Sequence, residues 1–209
     1  MPSPRKSKSN QPIKPPADVR EACVPAARDV IAEQGVEALS LRDVARRLGV
    51  SHQAPYKHYP SRDHLLAEVM RRCYEDFARE LDARPRHDEP AHDLGSLGEA
   101  YLRYAAMKPL EYRLMFGTPW PAAADHPDLV REAVHAFDVL RGVLRRMHGG
   151  GAGKAAKVDL DAMFIWSCMH GVASISHGNV MPQLRLAPKV EGQAAAHVMQ
   201  MISRAMAAG

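Results

Sequence analysis

Residues 39–62 have the sequence LSLRDVARRLGVSHQAPYKHYPSR, and they determine how the N-terminal third of the chain folds. Ser40 can cap a short helix whose apolar residues recur at helical spacing, and Gly49 can end it. Ser51 can cap a second short helix, which Pro60 ends. Two short helices joined by a tight turn are typical of a helix-turn-helix, a unit that binds DNA.

Longer helices flank this pair and must supply the apolar surface that two short helices lack. Asp18 can cap the first of them, although Pro25 lies inside it and should kink or weaken its first turns. Ser61 can cap the other. We therefore predict a helix-turn-helix domain at residues 17–66. It follows a disordered basic arm at residues 1–16, which contain five prolines.

Basic charge is concentrated in the same part of the chain. Residues 1–66 contain 11 Lys and Arg against 7 Asp and Glu, whereas residues 67–209 contain 17 of each. The whole net charge of +4 therefore lies where an anionic partner such as DNA would bind. A solvated basic tail is the alternative explanation of the same excess.

Length and composition exclude several classes of protein. The 209 residues are 46% hydrophobic and 25% charged, which is ordinary for a soluble globular chain. No apolar run approaches the roughly 18 to 20 residues that span a bilayer, and no secretion signal is recognisable. We expect a cytoplasmic protein with no membrane partner. Cys23, Cys73 and Cys168 are odd in number and far apart, so they predict neither a disulfide nor a zinc site.

The C-terminal two thirds of the chain, residues 67–209, carry helical patterns without convincing strand alternation, so we predict an all-α protein. The predicted helices span residues 92–107, 110–116, 128–147, 158–176 and 190–207. A surface connection is expected at residues 84–90, and a flexible glycine-rich loop at residues 149–153.

The helix predicted at residues 158–176 is apolar all round, so it must be covered on both sides. Small residues on one of its faces suit close approach of another helix. Together with the amphipathic last helix, it predicts a four-helix interface between two subunits. The predicted interface residues are Phe164, Cys168, Gly171, Ile175, Val198 and Ile202.

The N-terminal motif closely resembles the DNA-binding domain of the TetR family of transcriptional regulators. The resemblance covers about residues 18–69. It rests on the Ala and Gly at the helix contact, the Tyr-x-His-Tyr sequence at residues 56–59 and the cap that follows. It implies a homodimer, most often a repressor, that binds a palindromic double-stranded DNA operator and is released by a small-molecule effector. It implies no catalysis and no cofactor.

The second short helix of this motif is the expected reader of DNA. Its free backbone N–H groups and its polar side chains suit phosphates and base edges, and by resemblance Arg42 and Arg62 contact DNA beside it. Pro55 departs from the family pattern and should open or shift the first turn, so which of residues 52–54 meets a base stays open. The predicted DNA-contacting residues are Arg42, Ser51, His52, Gln53, Ala54, Tyr56, Lys57, His58 and Arg62.

The C-terminal part carries a second signature. Residues 166–171 match the Trp-x-x-x-His-Gly sequence of one TetR C-terminal subclass, and Tyr-Arg-Leu-Met-Phe at residues 112–116 also looks like that subclass. In this family the C-terminal domain takes up the effector, and an aromatic lining favours an apolar or aromatic molecule. Plain core is the alternative role of these side chains, and His170 could be a locally satisfied core histidine. The predicted pocket residues are Tyr101, Tyr104, Tyr112, Met115, Phe116, Trp120, Met163, Trp166 and His170.

Two other classes of function compete with a regulator. Glu89-x-x-His92 and Glu132-x-x-His135 have the spacing of metal-binding carboxylate bundles, but the first pair lies in a predicted connection and the second on a polar face. A nucleoid-type structural DNA binder would need only the basic first third. Residues 67–209 carry no net charge and resemble a regulatory domain, which argues against a structural DNA binder.

Overall fold

The computed structural model describes residues 16–178 and 181–208, and the predicted arm lies almost wholly outside them. Its regular structure in these ranges is helical, which confirms the all-α class. The helices are α1 (Val19–Gln34), α2 (Leu41–Leu48), α3 (Arg62–Asp82), α4 (Pro90–Met107), α5 (Pro109–Phe116), α6 (Pro127–Met147), α7 (Ala155–His177) and α8 (Val190–Ala208), with short 3-10 turns between some of them. None of these helices is both long and apolar enough to cross a membrane.

The chain divides into two compact units, Met1–Val69 and Met70–Gly209. The first unit contains α1, α2 and the start of α3. The second contains the rest of α3 and the helices α4 to α8. Helix α3 therefore begins in one unit and ends in the other.

Caps set the bounds of the helices in the first unit. The Asp18 carboxylate accepts a hydrogen bond from the backbone N–H of Glu21 at 3.1 Å, and α1 runs through Pro25 without a break. At the start of α2 the Ser40 hydroxyl accepts from the backbone N–H of Asp43 at 3.1 Å. Helix α2 ends at Gly49, whose φ of 66° lies in the left-handed region that favours glycine.

The second helix of the predicted pair is shorter and tighter than expected. Residues 52–54 form a turn, and only Pro55–Lys57 form a helical turn, of the 3-10 type. The prediction that Ser51 caps an α-helix is wrong, because no side chain caps this turn. Pro55 explains the difference, since it has no N–H to donate to the carbonyl of Ser51. The N–H of Ala54 takes that carbonyl instead, at 3.0 Å.

The second unit places α7 at its centre, where it packs against α4, α6 and α8. The predicted helices of this unit are all present. Helix α4 begins at Pro90, two residues earlier than predicted, because the Glu89 carboxylate accepts from the N–H groups of Ala91 at 3.1 Å and His92 at 2.8 Å. These hydrogen bonds also lower the pKa of Glu89.

The connection between α3 and α4 is exposed at residues 85–89 as predicted, but Arg84 at its start is buried. Arg84 and Asp93 are 6% and 1% exposed, and a guanidinium nitrogen of Arg84 lies 3.1 Å from the Asp93 carboxylate. Arg84 also donates to the carbonyl of Leu81 at 2.7 Å, and Arg146 of α6 makes a second ion pair with Asp93. This buried cluster joins the connection to the end of α6.

Candidate nucleic-acid interface and ligand cavity

The turn that follows α2 presents its polar side chains to solvent. His52, Gln53, Lys57 and His58 are exposed, and Tyr56 is 47% exposed. Within the described part of the chain, none of these five side chains makes a hydrogen bond or an ion pair. They are therefore available to a partner molecule. Of the other predicted contacts, Arg42 and Ser51 are exposed and Ala54 is half-buried.

Two buried residues hold this turn in place. Pro55 is buried beneath the exposed side chains, and Tyr59 is only 4% exposed. The Tyr59 hydroxyl donates to the backbone carbonyl of Arg20 in α1 at 3.1 Å. The polar side chains thus project from a turn that is fixed against α1, which favours a defined binding surface.

Arg62 makes several contacts within the protein. Its guanidinium donates to the backbone carbonyls of Val36 at 2.7 Å and Leu39 at 3.2 Å, and to the Asp63 carboxylate at 3.1 Å. These groups lie in the α1–α2 connection and at the start of α3. These contacts show that Arg62 positions the α1–α2 connection, and its contact with DNA stays a prediction.

Two of the three arginines of α2 are paired within the first unit. Arg47 donates to both carboxylate oxygens of Glu33 in α1, at 2.9 and 2.5 Å, and this pairing lowers the pKa of Glu33. Arg46 lies 2.6 Å from the Asp43 carboxylate. Arg42 is exposed on the same helix. It is the arginine of α2 that no described carboxylate contacts within hydrogen-bonding distance.

The second unit encloses an apolar cavity of about 420 Å³. It lies between α3, α4, α6, α7 and α8, and the segment after α5 closes part of it. Arg141 alone among the described lining residues carries a charge. Seven aromatic side chains line the cavity: Tyr74, Phe77, Tyr101, Phe116, Trp120, Phe137 and Trp166.

The predicted pocket residues separate into two groups. Tyr101, Phe116, Trp120, Met163 and Trp166 line the cavity, whereas Tyr104, Tyr112, Met115 and His170 do not. Tyr104 and Met115 are buried core residues, 2% and 1% exposed. Tyr74 and Phe77 of α3 and Phe137 of α6 also line the cavity and were not predicted. The apolar spacing along α3 could have identified the first two as inward-facing, but not as cavity residues.

His170 belongs to a hydrogen-bonded network behind the cavity wall. Its Nδ1 lies 2.7 Å from the Tyr112 hydroxyl, which lies 2.8 Å from the Tyr101 hydroxyl. Its Nε2 lies 3.3 Å from the Ser174 hydroxyl. Burial lowers the pKa of His170 and raises the pKa of both tyrosines, and both ring nitrogens of His170 have hydroxyl partners. This arrangement is the locally satisfied core histidine that the sequence allowed.

The outer face of α7 is apolar and exposed. Leu160, Phe164 and Ile175 are 71%, 43% and 48% exposed, and Cys168 and Gly171 between them are half-buried. Exposed apolar patches of this kind mark surfaces that bind another molecule.

On α8 the two predicted interface residues differ. Val198 is half-buried, whereas Ile202 is 5% exposed and lines the cavity of its own chain. The interface contact of Ile202 therefore stays a prediction, while its side chain packs against the cavity of its own chain.

The two Glu-x-x-His pairs have ordinary structural roles. Glu89 caps α4, and His135 lies 3.4 Å from the Asp82 carboxylate at the surface. Among the described residues, no group of three or more His, Cys, Asp or Glu side chains is arranged to hold a metal ion.

Comparisons with known proteins identify both units. Residues 24–69 match the family model of bacterial regulatory proteins of the tetR family, and residues 94–202 match the tetracyclin repressor-like C-terminal domain. The HTH-type transcriptional regulator Rv1816 of Mycobacterium tuberculosis (strain ATCC 25618 / H37Rv) is 33% identical over 109 residues. That alignment covers 50% of this chain and 46% of the relative, so this chain spans less than half of the relative's length.

Solved structures share the fold over nearly the whole chain. A protein of unknown function from Rhodococcus sp. RHA1 is 23% identical, with a TM-score of 0.72 over 90% of this chain and 95% of that one. The multidrug binding protein EbrR, solved in complex with proflavin, is 21% identical, with a TM-score of 0.56 over 88% of this chain and 99% of that one. At these identities the likeness shows the fold alone.

Proposed function

Because the chain belongs to the TetR family of helix-turn-helix transcriptional regulators, which are not enzymes, we propose that it is a one-component repressor released from DNA by a small-molecule effector. It binds a palindromic operator as a homodimer and acts in the cytoplasm. Repression is the proposed sign because the matching C-terminal domain is of the tetracyclin repressor type.

One observation carries the DNA-binding part of this proposal. Gln53, Lys57 and His58 are exposed and unpaired on a turn that Pro55 and Tyr59 hold against α1. Lysine suits phosphate oxygens, and glutamine suits the edge of an adenine. We assign DNA contact to the residues at and beside this turn: Arg42, Ser51, His52, Gln53, Ala54, Tyr56, Lys57 and His58.

The exposed face of α7 supports assembly as a homodimer. Phe164, Cys168, Gly171 and Ile175 follow one another along this face, and Val198 of α8 accompanies them. Two copies of an apolar helical face can cover each other in a symmetric four-helix interface. A two-fold symmetric dimer in turn requires an operator with two related half-sites.

The cavity in the second unit supports a role for an effector. Its lining of seven aromatic rings suits an apolar or aromatic molecule. EbrR is described in complex with proflavin, an aromatic compound, and we extend to this chain only that chemistry. We further propose that Trp166, His170 and Gly171 place the C-terminal domain in the Trp-x-x-x-His-Gly subclass.

Helix α3 gives the effector a route to the DNA-binding unit, since it begins in the first unit and lines the cavity in the second. To release DNA, the effector must bind the DNA-free conformation more tightly than the DNA-bound one. The turn at residues 52–58 is called the reading turn. A change in the direction of α3 would change the distance between the two reading turns of the dimer.

Selection of DNA from a random library by the purified protein tests the proposed function. We expect the bound pool to converge on a sequence with two inverted half-sites. A pool that stays random after repeated rounds would contradict the proposal and favour the nucleoid-type alternative.

A further inference from the structure

The cavity wall contains polar side chains that are already satisfied within the protein. The Tyr74 hydroxyl and the Trp120 indole N–H both donate to the carbonyl of Met115, at 2.9 and 3.2 Å. The Ser203 hydroxyl donates to the carbonyl of Met199 at 3.1 Å. A ligand in the cavity would find these groups occupied.

The hydroxyl of Tyr101 in α4 also has a partner within the protein. The Tyr101 hydroxyl lies 2.8 Å from that of Tyr112, which lies 2.7 Å from Nδ1 of His170. Tyr74, Trp120, Ser203 and Tyr101 thus each have a hydrogen-bond partner within the protein.

Arg141 is the charged residue of the wall, and two carboxylates hold it. Its Nε and one terminal nitrogen each lie 2.8 Å from an Asp159 oxygen, and its other terminal nitrogen donates to Asp138 at 2.9 Å. Asp138 also lies 4.0 Å from Arg145. Two cations and two anions therefore meet at this point, and their charges cancel.

We propose that Asp138 and Asp159 set the charge selectivity of the cavity: by holding Arg141, they make it select uncharged aromatic or apolar ligands over anionic ligands of the same shape. This inference rests on the effector cavity of the proposed function. An anion that enters an apolar cavity loses its hydration, and a free cation would compensate that loss most strongly. The guanidinium of Arg141 is not free.

Two fluorescent probes with one skeleton test the inference. N-phenyl-1-naphthylamine is uncharged, and 1-anilinonaphthalene-8-sulfonate carries one negative charge. In fluorescence titrations of the full chain without DNA, we expect the uncharged probe to bind with a Kd lower by about tenfold or more. Equal or tighter binding of the sulfonate would overturn the inference.

A cavity-filling variant shows whether the probes occupy this cavity. Gly95 lines it, and a Cβ there would meet no atom within 4 Å, so Gly95→Leu can be accommodated. Gly142 has the same freedom on α6 outside the lining, so Gly142→Leu is the matched control. Binding of the uncharged probe should weaken in the first variant and persist in the second. Equal binding to both variants would overturn the inference.

Asp159→Asn tests the role of the carboxylates. It removes one of the two negative charges that compensate Arg141, so the affinity for the sulfonate should rise by about fivefold or more, while that for the uncharged probe stays unchanged. Asp128→Asn removes the same charge from an exposed pair with Arg131 on α6 and should change neither affinity. An unchanged ratio of the two affinities in Asp159→Asn would overturn the inference.

The DNA-binding activity of the same preparations separates this inference from the proposed function. Failure of the uncharged probe to bind, with selective DNA binding intact, would overturn the charge selectivity alone. Loss of sequence preference for DNA would instead contradict the proposed function.

Discussion

Some side chains of the first unit hold the reading turn and the α1–α2 connection in place, and others are exposed on the turn. Tyr59 and Arg62 donate to backbone carbonyls and fix the turn and the α1–α2 connection. Gln53 and Lys57 are exposed and unpaired. The two groups should respond differently to substitution, the first through stability and the second through DNA affinity.

Lys57→Ala should weaken DNA binding by a similar factor on every sequence, because a lysine on phosphate carries no sequence information. The slope of log affinity against log salt should fall by about one unit. Fluorescence anisotropy at several salt concentrations measures both quantities. Lys157→Ala, a lysine of the second unit, is the control and should leave them unchanged. A variant with the wild-type salt slope would remove Lys57 from the contact set.

His170 makes stability depend on pH in a direction that its environment fixes. Burial lowers its pKa in the folded state, so below the ordinary histidine pKa of about 6.5 the unfolded chain binds a proton that the folded chain does not. The free energy of unfolding should therefore fall as the pH falls through this range, and level off above it. Urea unfolding at pH 7.5 and 5.5 should show a smaller fall in His170→Gln than in wild type. The exposed His92→Gln is the control. An equal fall in all three proteins would contradict this environment for His170.

At the scale of elements, caps formed by nearby residues made the bounds of the helices predictable. Contacts between side chains distant in the sequence could not be predicted. Ser40 and Gly49 act on neighbours three or four residues away, and α2 lies between them as predicted. The cap that Glu89 forms was not predicted, and it starts α4 two residues early. Pro55 indicated that the first turn of the second helix would be altered. It did not predict that only a 3-10 turn would form.

Pairs distant in sequence carried no comparable signal. The contact of Arg84 with Asp93 and Arg146 depends on how α3, α4 and α6 pack, so a charged linker residue could not be recognised as buried. Likewise, apolar spacing identified inward faces, but it could not separate Tyr104 in the core from Phe137 at the cavity. That distinction depends on where neighbouring helices leave space.

Asp93→Ala tests the buried cluster that joins the α3–α4 connection to α6. It would leave Arg84 buried without its carboxylate, which should cost about 3 to 5 kcal/mol of unfolding free energy. Asp82→Ala removes a carboxylate from the exposed pair with Arg86 and should cost about 1 kcal/mol or less. Chemical denaturation measures both variants. A cost for Asp93→Ala no larger than that for Asp82→Ala would contradict the role of the cluster.

At the scale of the whole molecule, binding to an operator with two half-sites requires two copies of the chain. Wild-type protein should sediment as a dimer at micromolar concentration, and Ile175→Asp should sediment as a monomer, because a charge replaces an exposed apolar side chain on the α7 face. Ala106→Asp, at an exposed position of α4, should remain dimeric. Circular dichroism confirms that each variant is folded. A monomeric wild type, or a folded dimeric Ile175→Asp, would contradict the α7 interface.

The most direct test of the central claim is the ratio of affinities for the selected operator and for an unrelated duplex, measured by anisotropy at physiological salt. A regulator should bind its operator about a thousandfold or more tightly than unrelated DNA. Gln53→Ala should reduce that ratio by weakening operator binding by about 1 to 3 kcal/mol, with little change on unrelated DNA. Equal affinity of the wild-type protein for both duplexes would contradict the claim.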